Sequence, residues 1–392
     1  MKIKEIIKKN KFATLLYRFL LKYKKLQNNF IINYYKTDFS RNALVSYITE
    51  PFIKSEYNSH TNGQESILIA KSLHNLGFNI DIIDCDSEKK LPLNKYSLVL
   101  GFGKPYKHLV ENADIKSKKI FYSTGMPPYF SNKQTILRNK QFSKKSNKLI
   151  LESSRYINDD YSSQILLSDY IVTLGNQYVK KLYTDYTEIP VHLLPPSFFK
   201  ICEFEDILKK KNFHNAKNNF LFFSGGGLIH KGLDLVLEYF STRTDINLHI
   251  CCSIVNEKEF ESFYKILLYK TQNIIFHGFI NINSKLFKKL LNECAFVIFP
   301  SCSEGGGASV INVLGNGGLV PIVTAESSIP INDFGIPIDG FNQTDISSAM
   351  ERAMLISDEE IKNMSYRCGN FISINNSIEN FEKNINIILA KI

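Results

Sequence analysis

The chain lacks the short signatures that would settle its chemistry at sight. Its seven cysteines (85, 202, 251, 252, 294, 302 and 368) form no CxxC pair. Several lie in apolar runs such as LHICCSI and ECAFVIFP, which predicts buried, reduced thiols of a cytosolic protein. No apolar run approaches the length needed to cross a bilayer, and no small-residue cleavage site follows the N-terminus. Neither GxxxxGK[ST] nor GxGxxG occurs, so a triphosphate loop and a dinucleotide fingerprint are both absent. Solenoid-period repeats and low-complexity linkers are missing too. Beyond residue 28 the chain also has little net charge, which argues against a nucleic-acid binder.

Nearly all the charge sits at one end. Residues 1–28 hold nine Lys/Arg and one Glu, so this segment contributes +8 of the formal +10. On a helical wheel Lys4, Lys8, Lys11, Arg18, Lys22 and Lys25 oppose Ile3, Ile6, Ala13, Leu16, Tyr17, Leu20 and Leu21. Such a basic amphipathic helix suits an anionic membrane surface, and equally an ordinary solvated helix packed on its domain.

The remainder is globular, 44% hydrophobic and 22% charged, and at 392 residues long enough for two domains. Short apolar runs alternate with amphipathic stretches. Strands are predicted at 43–48, 79–84, 97–102, 118–123, 169–175 and 191–196. A second series falls at 219–225, 247–254, 273–279, 295–300 and 319–324. Helices fit ESILIAKSLHNLG, closed by Gly77, and KGLDLVLEYF, EKEFESFYKILLY, SKLFKKLLNE, ASVINVLGN and DISSAMERAML. Fully apolar strands joined by helices imply an α/β fold of two doubly wound parallel sheets, with ligands in a cleft at the strands' carboxyl ends. The break falls near Pro195-Pro196-Ser197. This divides the chain into a basic helix (1–30), an N-terminal domain (31–197), a C-terminal domain (198–375) and a last helix (376–392) that crosses back.

Two loops follow late strands. In NFLFFSGGGLIHKG, Gly225, Gly226 and Gly227 form a turn and Lys231 opens a helix; bare amides, a helix terminus and an ammonium make a diphosphate cradle. In AFVIFPSCSEGGGASVINVLGNGG, Glu304 ends a strand and Gly305, Gly306 and Gly307 open a helix. A carboxylate there suits sugar hydroxyls. Counting two helical turns on from Glu304 places Asn312 on the same side.

These segments resemble the family-4 type of retaining glycosyltransferases, which have the GT-B fold. The resemblance rests on Gly225 and Lys231-Gly232, on Ser303-Glu304-Gly305 with Gly317, on NIIFHGFI, and on HTNGQESILIAKSLHNLGFNIDIID, whose Gly63 falls in the family's glycine loop near the donor phosphates. It spans roughly 40–390, and is strongest over 219–324. Three positions depart from the family pattern. Its phosphate-binding arginine falls at Gly226, its second glutamate at Asn312, and its histidine near the reacting sugar at Thr124-Gly125; His60 and His108 are the nearest loop histidines.

The resemblance implies two Rossmann-like domains facing a cleft and transfer of a sugar, a hexose, from a nucleotide-diphosphate sugar with retention. Lys231 and the Gly225–Gly227 amides would hold the diphosphate, Glu304 and Gly305–Gly307 the sugar, and Asn312 the ribose. No metal or other cofactor is expected, because no DxD-like pair falls in a matching place. The basic segment points to a saccharide or lipid-linked acceptor, to synthesis of cell-surface polysaccharide or glycolipid (lipopolysaccharide or capsule), and to the cytoplasmic membrane face. A non-catalytic sugar-nucleotide module of the same fold, and a sugar-nucleotide epimerase, are the alternatives.

Overall fold

The computed structural model describes residues 30–54, 61–112, 116–159 and 161–392. The basic segment 1–28 and His60 lie outside the described residues. Each of the eleven runs expected as strands holds one, and two short strands, β1 and β13, join them. The first sheet contains β1 (Phe30–Ile31), β2 (Arg41–Tyr47), β3 (Phe78–Asp84), β4 (Leu98–Gly101), β5 (Lys118–Ser123), β6 (Tyr170–Leu174) and β7 (Val191–Leu194). Its order is β1-β3-β2-β4-β5-β6-β7. Strands β2, β3, β4 and β5 pair in parallel, while β1 lies antiparallel on β3.

The second sheet contains β8 (Asn219–Phe223), β9 (Asn247–Cys251), β10 (Ile274–Phe276), β11 (Phe296–Phe299), β12 (Val320–Thr324) and β13 (Ile336–Ile338). All its pairings are parallel, in the order β10-β9-β8-β11-β12-β13. Relative to the first of these strands this is the 3-2-1-4-5-6 order of a doubly wound sheet. The chain direction across the sheet therefore reverses between β8 and β11. Both strands are apolar because helices cover both faces: β11 and β12 are buried along their whole length. Phe220 and Phe296 stack across the reversal with centroids 4.9 Å apart.

By internal packing the chain forms two compact units. One comprises the described residues up to Tyr122 with Tyr161–Ile171 and Ile385–Ile392; the other comprises Ser123–Asp160 and Val172–Asn384. Residues 123–160 thus pack with those beyond the break expected near 195–197. The helix Pro128–Ser146 explains this grouping. Its Arg138, 1% exposed, places Nη2 2.7 Å and 2.8 Å from the two carboxylate oxygens of Asp234, which is also buried in helix Leu233–Ser241. The stretch EKEFESFYKILLY, expected as one helix, is broken at Tyr264 into Lys258–Phe263 and Lys265–Lys270. All seven cysteines are free, five of them buried.

Candidate functional site

The two glycine turns follow β8 and β11, the strands that flank the reversal of the second sheet. Loops at that point diverge to opposite faces and leave room for a ligand at the carboxyl edge. Lys231 and Glu304 meet there. The ammonium Nζ lies 3.9 Å from Glu304 Oε1, and the two side chains are only 9% and 10% exposed. Among the described residues Lys231 Nζ makes no hydrogen bond; it faces this carboxylate and the Phe299 ring, 5.7 Å from its centroid.

Glu304 is held more firmly. Ser301 Oγ donates to Oε1 at 2.9 Å, and Arg155 Nη1 donates to Oε2 at 3.2 Å. Burial by itself would raise the carboxyl pKa, but Lys231 and then Arg155 outweigh it, and the group is pushed down to about 2. Burial lowers the Lys231 pKa, with Glu304 opposing and Arg155 adding to the fall. Beside them His230 is buried and neutral, brought down to about 4 chiefly by desolvation. Its ring spans Thr135 Oγ1, 3.1 Å from Nδ1, and the Ser303 carbonyl, 2.8 Å from Nε2. It fixes the two turns and offers no free base.

The glycines have separate reasons. A Cβ on Gly305 would lie 2.1 Å from the Thr124 carbonyl oxygen, one on Gly306 2.6 Å from Pro196, and one on Gly307 2.8 Å from Ile329. This turn is bare because other parts of the protein approach it, the Thr124 backbone at Gly305 and the Pro196 and Ile329 side chains at Gly306 and Gly307; Gly306 and Gly307 also take left-handed φ values of +99° and +53°. Gly225 is different, since a Cβ there meets nothing within 4 Å. Among the described residues the amides of Gly225, Gly226, Gly305, Gly306 and Gly307 make no hydrogen bond.

Two expectations require correction. The Gly227 amide is not open to a ligand: it donates to Glu257 Oε1 at 2.5 Å, and Leu228 N donates to Oε2 at 2.9 Å. A buried carboxylate has taken one of the three amides of the expected diphosphate cradle, leaving those of Gly225 and Gly226. Asn312 does not project beside Glu304 either. Helical geometry starts only at Ala308, because the preceding glycines are left-handed, so the two-turn count cannot be carried across them. Asn312 is buried; its Oδ1 accepts from Phe199 N at 2.8 Å and its Nδ2 donates to Ala308 O. With Asn316, which bonds both Phe199 O and Ile201 N, it ties residues 199–201 to helix Ala308–Gly317.

Gly63 is buried in the first turn of helix Asn62–Asn75, in the other unit. His108 belongs to that unit too, in helix Lys104–Asn112, its Nε2 3.3 Å from the Leu91 carbonyl. His277 Nε2 lies 3.1 Å from His249 Nδ1 in a stacked pair.

Two residues of the site went unforeseen, Arg155 and Glu257. Neither belongs to a spacing pattern around the glycine turns; a basic residue after the 151–153 turn was the one visible signal.

Two parallel-sheet α/β units, the second doubly wound in 3-2-1-4-5-6 order with a cation–carboxylate pair at its reversal, define the GT-B class of glycosyltransferase fold. Residues 204–368 match the model of the family described as glycosyl transferases group 1. Among solved structures the chain is similar to sucrose-phosphate synthase from Thermosynechococcus elongatus, at TM-score 0.60 and 10% identity over 90% of this chain and 98% of that one. It is similar to Anabaena HepE in complex with UDP, at TM-score 0.58 and 10% identity over 90% and 100% of the two chains. A glycosyltransferase from Rickettsia africae gives 0.54 and 13% identity over 90% and 98%. At these identities the likeness is one of fold. No curated protein matches in sequence. Among the described residues no helix is long and apolar enough to cross a membrane.

Proposed function

We propose that the chain transfers a hexosyl group, with retention, from a nucleotide-diphosphate sugar to a saccharide or lipid-linked acceptor. The observation that carries this reading is the Lys231–Glu304 pair. A nearly buried ammonium with no hydrogen bond among the described residues stands 3.9 Å from an ionised carboxylate, beside unengaged glycine amides. Breaking a sugar–phosphate bond leaves positive charge on the sugar ring and negative charge on the departing diphosphate. Lys231, with the amides of Gly225 and Gly226, suits the diphosphate. Glu304, with Gly305–Gly307, suits the sugar hydroxyls. Such fixed charges act without reorganisation, and removing one typically costs ~100-fold or more in turnover. A phosphate oxygen of the donor would take the acceptor proton, since His230 is buried in structural bonds.

The reading needs no metal: transfer should persist in EDTA. The Anabaena neighbour holds UDP, which makes UDP-sugars the first donors to assay. The basic segment 1–28 supports an acceptor presented at the cytoplasmic membrane face, in synthesis of surface polysaccharide such as lipopolysaccharide or capsule; deleting it should release the protein from anionic liposomes. The direct test is turnover with nucleotide sugars: Lys231→Ala or Glu304→Ala should each lose at least ~100-fold, and near-normal turnover in both would overturn the proposal. One second reading has support. Asn312 and the Gly227 amide are engaged within the protein, which favours a non-catalytic sugar-nucleotide module; donor binding without hydrolysis or transfer would establish it.

A further inference from the structure

The charge count at the site leaves a gap. Lys231 and Glu304 neutralise one another, so these two groups alone offer no net charge to a diphosphate. Gly225 and Gly226 bring amides but no cation. Arg155 supplies one. Among the described residues its guanidinium makes one hydrogen bond, from Nη1 to Glu304 Oε2, and its side chain is half exposed. Four of its five N–H donors remain for a ligand. Its stem occupies the space that the bare turn leaves: a Cβ on Gly227 would lie 2.7 Å from Arg155 Cγ and 2.8 Å from Cδ.

The segment that delivers this arginine is anchored along its length. Glu152 Oε1 accepts from the amides of Glu259 and Phe260 at the start of helix Lys258–Phe263. Ser153 Oγ donates to Glu257, the same carboxylate that binds the Gly227 and Leu228 amides. The Ser153 carbonyl accepts from His230 N at 3.3 Å, and Ser154 Oγ accepts from Asn139. Glu257 therefore has a second consequence: by occupying the Gly227 amide it fastens the glycine turn to the segment that brings Arg155 beside it.

We propose that Arg155 is a diphosphate-binding residue, a cation supplied from outside the family-matched segment that joins Lys231 and offsets the carboxylates of Glu304 and Glu257 beside the glycine turn. The inference rests on the nucleotide-sugar reading above. A planar guanidinium with parallel donors recognises phosphate oxygens in two-point fashion, which a single ammonium does not.

The test is isothermal titration of the full chain with UDP, GDP, ADP and dTDP and with the matching monophosphates, using wild type, Arg155→Ala, Arg155→Gln and Arg155→Lys. For the diphosphate that wild type binds, Arg155→Ala and Arg155→Gln should weaken binding about 10- to 100-fold, the worth of a charged hydrogen bond. Affinity for the monophosphate of the same base should fall much less, and Arg155→Lys should recover part of the loss. Arg155→Gln keeps the stem against Gly227 and preserves the fold if Arg155→Ala does not. Unchanged diphosphate affinity overturns the inference alone, as does an equal loss for both nucleotides. A wild type that binds none of the four diphosphates overturns the nucleotide-sugar reading and this inference with it.

Discussion

Replacing Glu304 by Gln should destabilise the protein more than replacing Lys231 by Met, although each change removes one member of the same pair. Glu304 stands between two cations, Lys231 at 3.9 Å and Arg155 at 3.2 Å. Without its charge the nearly buried Lys231 ammonium loses its nearest carboxylate, is left with the weaker attraction of Glu257, and keeps a like charge nearby. Leaving one buried charge unpaired costs about 3–5 kcal/mol. Lys231→Met removes the buried cation itself, and Glu304 retains Arg155 and Ser301, so the cost should be about 1–2 kcal/mol, near the loss of a charged hydrogen bond. Adding Lys231→Met to Glu304→Gln should then recover most of the difference, a coupling of about 2 kcal/mol. Urea unfolding at pH 7, followed by circular dichroism, measures all four proteins. Equal losses, or a double variant equal to the sum of its singles, would refute the cation–carboxylate–cation arrangement.

Arg138→Ala should cost about 3–5 kcal/mol, because it strands the buried Asp234 carboxylate that joins helix Pro128–Ser146 to helix Leu233–Ser241; chemical denaturation reads this directly. Gly305→Ala should be strongly destabilising, by about 3 kcal/mol or more, since its Cβ meets the Thr124 carbonyl. Gly225→Ala should leave the melting temperature unchanged and reduce donor affinity, because open space surrounds that position in the protein. Stability should fall with pH below about 6.5. His230 and His249 are held near pKa 4 in the fold, so the unfolded chain binds their protons first; each contributes a loss of up to about 3 kcal/mol by pH 4. His230→Gln should flatten that fall in a pH series of denaturation curves. Glu304 adds a further loss below about 4.5, as its ordinary protonation range is reached in the unfolded state.

The strand series was legible because fully buried parallel strands must be apolar over their whole length, as AFVIFP and LVPIVT are. The placement of both glycine turns followed from the strands that precede them. What the glycines do was only half legible. Three in a row signal close approach, but not whether to a ligand or to the chain itself, and Gly305–Gly307 answer to Thr124, Pro196 and Ile329. Helix Pro128–Ser146 escaped notice because PYFSNKQTILRNKQFSKKS is polar, and its anchoring face depends on a buried arginine rather than an apolar stripe. Arg155 and Glu257 were invisible for a related reason. Their importance comes from contacts with residues 149 and 30 positions away, which no local spacing records.

The central claim is that the Lys231–Glu304 cluster holds the diphosphate of a nucleotide sugar. Thermal-shift measurement of wild type and Lys231→Ala across UDP-, GDP-, ADP- and dTDP-hexoses tests it most directly. One donor at 100 times its dissociation constant should stabilise wild type by about 2.7 kcal/mol, and the variant should show little or none of that gain. A panel that stabilises neither protein, or both equally, would contradict the account.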